Sequence, residues 1–464
     1  MSERAVVVKE VELPAVEPPR TWPTFGVQTF VGRLARLRAL MDEHGYTHLA
    51  VFGDPWTFAN LHYLLGFDPR LEPMLLVVGR DDPLLLLAGN EGLPYSRVSP
   101  LPGIERRLCH LFSLPGQPLP PAPSIEDSLR EAGIGSAARV GVVGTRYYPA
   151  EPNGAQIIDV PAHLVDPLRR LAGAEQVRNA SDLLVHPTYG LRTSVDADEI
   201  AFMDHSALWV YDGVRRLLEL LRPGLSELEA TQALRYPGHI SLANPIVLGW
   251  GDNALAGITG PLPDNPLRVG QPIQFSFNLW GANLVRGGLA LRGPHDLPEP
   301  DALERFYIPY FRATMRWYQV LGLGVSGAAL YDAVAEVMEE PRFGAVINPG
   351  HLIHWDEWTS AFIDKGSSLA ARSGMPIQAE ILCVPGAPYH ILHVEDGLVL
   401  ADDALRQDLA ARHPHTAANI ARRRERMERL LGVTLRPEIL PMSEIQGWVT
   451  PYLLDPQRIL AFES

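Results

Sequence analysis

Cysteine is nearly absent: the 464-residue chain has two, Cys109 and Cys383. Thiols this few and this far apart build neither a disulfide framework nor a four-thiolate zinc site. A reduced cytoplasm is the expected setting, with at most one structural disulfide. Positive charge is also scarce. Lys and Arg number 40 against 54 Asp and Glu, giving a formal net charge of −14. A nucleic-acid partner would want a basic face, so none is expected. No apolar run reaches the ~18 residues that a spanning helix needs, so no membrane partner is expected either. The opening M-S-E-R-A-V-V-V-K-E-V-E lacks the charged-then-apolar layout of a secretory signal. With nucleic acid and membrane set aside, a small-molecule substrate is the partner expected from the chemistry read below.

The rest of the composition is that of a globular chain, 46% apolar and 20% charged. Its length suggests two domains, perhaps a third. Residues 1–28 are rich in proline and acid and read as an extended arm, suited to drape over a partner subunit. Residues 29–171 alternate helices and apolar strands. Phe30 to His44 carries Leu34, Leu37, Leu40 and Met41 at helical spacing, and Gly45 closes it. T-H-L-A-V-F-G follows as a buried strand, and M-L-L-V-V and P-L-L-L-L-A form a hairpin across G-R-D-D. Ser124 caps I-E-D-S-L-R-E-A-G, and A-R-V-G-V-V-G is another strand. This is an α/β domain with a sheet covered on both faces. Residues 172–194 read as a connector.

Residues 195–436 open with a long amphipathic helix from Ala197 to Leu221. Ser226 caps the next helix. Strand-like runs follow, then an aromatic-rich helix from Ala302 to Leu321 and a helix opened by G-V-S-G-A-A-L-Y-D-A-V. Helices laid on an antiparallel sheet make this half α+β. Arginines and glutamates alternate in R-R-R-E-R-M-E-R-L-L-G, a solvated or subunit-facing helix. Residues 437–464 are a terminal tail.

The chemistry concentrates between Asn348 and Asp396. N-P-G-H-L-I-H-W-D-E-W supplies His351, G-M-P-I-Q-A-E-I-L supplies Glu380, and H-I-L-H-V-E-D-G-L-V-L supplies Glu395. Carboxylates within apolar strands are costly unless paired, hydrogen-bonded or bound to a cation.

The order of these phrases resembles the creatinase, Xaa-Pro dipeptidase and methionine aminopeptidase superfamily, the pita-bread fold. The resemblance spans both halves. G-Y-T-H-L-A-V-F and N-L-H-Y-L-L-G-F resemble the creatinase-type N-terminal domain. R-P-G-L-S-E-L-E-A, V-G-Q-P-I-Q-F-S-F, P-G-H-L-I, S-G-M-P-I-Q-A-E and L-H-V-E-D-G-L-V-L resemble phrases of the catalytic domain. It implies an α/β N-terminal creatinase-like domain followed by an α+β pita-bread C-terminal domain, and a homodimer. Peptidases of the superfamily hold two metal ions with two Asp, one His and two Glu. His351, Glu380 and Glu395 match the His and both Glu. The two Asp positions fall at about Ser276 and Gly287, the helper histidine near Ile258 and a second histidine near Trp358. Asn278 and Asp252 are the nearby candidates to substitute for a lost ligand.

Three readings stay open. In the first, the enzyme works without metal or other cofactor, as creatinase itself lacks these Asp residues. His351 then carries the proton, and Glu380 and Glu395 hold a cationic group. Trp250, Trp280, Trp355 and Trp358 are candidates for cation–π contacts, though each is individually expected in the core. In the second, His351, Glu380 and Glu395 hold a single divalent ion. In the third, the fold is a binding or scaffold protein whose glutamates are locked to His354, His390 or His393. His354 is also a substrate-contact candidate, on the opposite side of its strand from His351. His393 stands where relatives often have Arg. Arg286, next to the lost Asp position, is a candidate to bind a substrate carboxylate. Ser276, Trp280 and Trp358 complete the expected substrate contacts. Asp356 and Glu357 read as a loop acid pair and Cys383 as a buried small hydrophobe.

Overall fold

The computed structural model describes residues 4–238 and 245–463. The chain divides into two compact units, Thr24–Thr193 and Met1–Pro23 joined to Ser194–Ser464. In the first unit the helix Val27–His44 ends on Gly45 at φ 73, a left-handed position that glycine takes without steric cost. Six strands form its sheet, in the order 105–108, 85–88, 74–79, 48–53, 140–143 and 177–179. Strands 48–53, 74–79 and 85–88 pair antiparallel, the last two as the expected hairpin. The outer pairings are parallel. Ser124 caps its helix by accepting from the backbone N–H of Asp127. The segment read as a connector carries the edge strand Val177–Asn179 and the helix Asp182–Val185, and lies within this unit.

The second unit is built on a seven-stranded antiparallel sheet. Its strands are β1 Ile246–Trp250, β2 Pro272–Leu279, β3 Ala282–Leu289, β4 His351–Leu352, β5 Pro376–Gly386, β6 His390–Leu400 and β7 Ile439–Pro441. The path runs β4-β5-β6-β3-β2-β1, with β7 also on β6. The long helix α1, Ala197–Leu220, starts in a capping box between Asp196 and Glu199. The helix α2, Glu227–Leu234, starts in a second one, between Ser226 and Glu229. The aromatic-rich helix α3, Ile308–Val320, buries Tyr310, Phe311, Trp317 and Tyr318. Tyr310 donates from its hydroxyl to the Ile381 carbonyl and accepts from the Val394 N–H, which ties α3 to β5 and β6.

Both chain ends are strands of this unit. Val6–Glu10 pairs antiparallel with Arg458–Phe462. The arm continues along α1, where Tyr211 and Trp209 donate to the carbonyls of Pro14 and Pro19. Proline has no N–H to give a ladder, so side chains of α1 anchor this stretch through its carbonyls. The arm, expected to suit a partner subunit, is thus bound to its own chain up to Pro23. The terminal segment likewise supplies β7 and the strand Arg458–Phe462. The alternating helix, observed as Pro414–Leu431, buries Arg423 against Asp204 at 2.5 Å and Glu444 at 2.8 Å. Cys109 and Cys383 are both free and buried. None of the described helices is long and apolar enough to cross a membrane.

Candidate active site

Side chains alternate along a strand, and residues directly opposite each other share a face. The register therefore sorts the candidates. Glu380 of β5 lies opposite Glu395 of β6, and Glu395 lies opposite Val285 of β3. Val285 lies opposite Ser276 of β2, and His393 opposite both Gly287 and Leu382. His351 of β4 lies opposite Gln378, two residues before Glu380. One face thus carries Ser276, Asn283, Gly287, His351, Glu380, His393 and Glu395.

The distances bring most of these together. His351 Nε2 lies 3.1 Å from Glu357, 3.3 Å from Glu380 and 3.9 Å from Glu395. His393 Nε2 contacts Glu380 at 3.0 Å and Glu395 at 3.7 Å. Asn283 donates its side-chain amide to Glu395 at 2.9 Å and accepts from Ser276 Oγ at 2.8 Å. His351 Nδ1 meets the Leu352 carbonyl at 3.3 Å, which leaves Nε2 directed at the carboxylates. The ring of Trp358 stacks on His351, 4.1 Å between centroids and 9° from parallel. His351 is fully buried, whereas the side chains of Glu357 and Trp358 reach solvent.

Burial and mutual charge set the protonation. Burial disfavours charge on His351, but Glu357 and Glu380 overcome it and raise its proton affinity well above that of a free imidazole. Burial also opposes charge on Glu380, yet His351 and His393 hold its carboxyl below the usual range. Burial, then the charges of Glu380 and Glu357, push Glu395 well above that range. Two carboxylates on neighbouring strands are thus driven apart, Glu380 toward the ionised form and Glu395 toward the protonated one. Despite complete burial, His351 Nε2 and Glu380 Oε2 have no aligned hydrogen-bond partner. Unsatisfied polar atoms are rare in native interiors and call for a reason.

Other sequence-predicted residues lie elsewhere. Arg286 alternates to the opposite face. Its guanidinium grips Asp396 with Nη2 at 2.9 and 3.0 Å and donates to the carbonyls of Val285, Glu395 and Ile445. It cannot bind a substrate carboxylate from there; it braces the strand that carries Glu395. His354 turns away from His351 and lies 3.3 Å from Glu199 in the cap of α1. Trp280 packs in an aromatic cluster with Phe202 and Trp355. Trp250 and Trp355 are fully buried core, and Asp252 is exposed. Two residues were missed. Glu357, read as a loop acid, touches His351. Asn283 could have been found from its spacing, since it shares a strand face with Gly287.

The donor atoms of His351, Glu380 and Glu395 all lie within 4.8 Å of one another, a set that suits one divalent ion. On the same face Ser276 offers only a hydroxyl and Gly287 no side chain. A Cβ on Gly287 would sit 2.9 Å from the Cβ of His393, so a side chain there would displace a neighbour.

No protein-family model matches the sequence, and no curated protein matches it. Solved structures do. The Xaa-Pro dipeptidase from Bacillus anthracis aligns over 81% of this chain and 96% of its own, with TM-score 0.59 and 16% identity. The prolidase from Pyrococcus furiosus covers 79% and 96%, with TM-score 0.58 and 15% identity. The X-Pro aminopeptidase from Thermotoga maritima MSB8 covers 80% and 95%, with TM-score 0.60 and 15% identity. The chain therefore has the pita-bread fold of the prolidases, Xaa-Pro dipeptidases and X-Pro aminopeptidases, as the sequence phrases implied. Likeness at this identity establishes the fold and leaves the chemistry to the site.

Proposed function

We propose that the protein is a hydrolase that cleaves a C–N bond in a small cationic or zwitterionic nitrogen compound, with His351 as proton carrier and without a two-metal centre. The observation that carries this reading is the buried pair His351 Nε2 and Glu380 Oε2, 3.3 Å apart without an aligned hydrogen bond between them. Glu380 Oε2 calls for a donor such as a guanidinium or ammonium N–H. His351 Nε2 calls for a partner that exchanges a proton. A substrate with a cationic group beside a scissile C–N bond supplies both. That the solved structures of this fold are named as peptidases supports the coarser class, hydrolase.

The geometry supports one course of reaction. Water attacks the carbon, and its proton passes to Nε2 of His351 and then to the leaving nitrogen. The C–O bond forms, the C–N bond breaks and His351 returns to its starting state. A substrate cation that takes over one of the carboxylates around His351 lowers the proton affinity that they impose, so that His351 releases its resting proton to solvent and Nε2 is free to accept. His393 bridges Glu380 and Glu395 from the other side and keeps the carboxylate pair compensated within the protein.

A second reading rests on the same three donors: one divalent ion at His351, Glu380 and Glu395. Such an ion would supply Lewis-acid polarisation of the substrate. Purified protein should be tested on a panel of guanidino and betaine-like compounds, with amine and urea release as readouts. Turnover by wild type and its loss in His351→Ala are expected. Equal turnover by His351→Ala would end the proposal.

A further inference from the structure

The proposed mechanism accounts for the buried part of the cluster and leaves its solvent side unused. That side is a short return of the chain after His351. Leu352 and Ser360 close it, with the Leu352 N–H on the Ser360 carbonyl at 2.7 Å and the Thr359 N–H on the Leu352 carbonyl at 2.9 Å. Between these pins lie Glu357 and Trp358. They are the solvent-reaching members of a cluster whose other ionisable side chains are at most 8% exposed. Beyond Trp358 opens a groove of about 450 Å³, lined by Tyr331, Met338, Val346 and Asn348.

Glu357 therefore sits where solvent meets the site, with Oε1 3.1 Å from the buried His351 Nε2. It is the third carboxylate around His351, beside Glu380 and Glu395. No Lys or Arg of the described residues is paired with it. A carboxylate in this place can exchange its imidazole partner for an incoming cation, and the groove gives room for the rest of that molecule. Electrostatic complementarity at a mouth of this kind acts mainly on selection.

We propose that Glu357 is a specificity-determining residue: it binds the positively charged group of the substrate at the mouth of the site and hands over His351 Nε2 in doing so. This rests on the reading of His351 and Glu380 as the reacting centre, and it names the class that enters: planar or compact organic cations, with neutral isosteres refused.

Benzamidinium and its neutral isostere benzamide are the probes, with binding to the full chain followed by calorimetry and by tryptophan fluorescence. Wild type should bind benzamidinium and not benzamide. Glu357→Gln should weaken benzamidinium by about tenfold or more, the loss expected for one charge-assisted contact, and Glu357→Asp should recover part of it. Glu357 is surface-reaching, so circular dichroism should show these variants folded. Glu357→Gln binding within about twofold of wild type would overturn the inference, as would equal binding of benzamide. Glu380→Gln separates the two readings. Loss in Glu380→Gln but not in Glu357→Gln leaves the reacting centre standing and removes this inference. Loss in Glu357→Gln alone supports this inference and leaves Glu380 to the turnover assay, and no binding of benzamidinium to wild type overturns this inference.

Discussion

Asp396→Ala should be among the most damaging single changes in the chain, and the structure says by how much. The Asp396 carboxylate accepts two contacts from Arg286 Nη2, at 3.0 and 2.9 Å, and one from the Gly447 N–H at 2.9 Å. Side-chain exposure is 4% for Arg286 and 0% for Asp396. Removing the acid leaves a guanidinium in the core without its counter-charge, a loss of about 3–5 kcal/mol. The orphaned Gly447 N–H adds roughly 1 kcal/mol or more. A total of about 4–6 kcal/mol lowers the folded-to-unfolded ratio about a thousandfold or more. The assay is urea unfolding at constant pH, followed by fluorescence. Arg286→Met with Asp396→Leu should recover at least half of the loss, because the buried charge leaves with its partner. A single mutant within about 1 kcal/mol of wild type, or a double mutant no better than the single, would refute the argument.

Gly287→Ala should cost about 1–3 kcal/mol, since its Cβ would lie 2.9 Å from that of His393 and 3.3 Å from Ile391; thermal unfolding checks it. Glu227→Gln should loosen the 250–265 loop. The fully buried carboxylate of Glu227 accepts from the backbone of Trp250 and Leu262 and from the amides of Asn253 and Asn265 at 2.6–2.9 Å. Faster amide exchange across that loop is the expected readout. Glu444 supplies a pH test. Burial opposes its charge, but Arg423 and Arg426 outweigh burial and hold its carboxyl below the ordinary 4.5. A depressed folded-state value means that its contribution is present above pH 4.5 and is lost as pH falls through the folded value. Wild type should therefore lose stability more steeply than Glu444→Gln on acidification below about pH 5, measured by urea titration at each pH.

The carboxylates of the site were legible because a charge within an apolar strand is conspicuous. Glu380 and Glu395 stand out in I-Q-A-E-I-L and L-H-V-E-D-G-L, and they meet as a cross-strand pair. Arg286 was misplaced for a reason of period. It is one residue from Gly287, and one residue along a strand is the opposite face. Glu357 could not be found from periodicity, because the chain doubles back after Leu352 without a glycine or proline to announce the turn. Helix starts were read well where side chains cap them, at Ser124, Asp196 and Ser226. The pairing of Val6–Glu10 with Arg458–Phe462 joins residues at opposite ends of the sequence, and no local pattern encodes it.

The central claim is that His351 and Glu380 act on a cationic substrate without a bound metal ion. Metal content measured by mass spectrometry on active protein, before and after chelation, tests it most directly. The account predicts turnover that survives chelation in protein carrying far less than one ion per chain. Activity that disappears with the removal of bound metal and returns when metal is restored would contradict it.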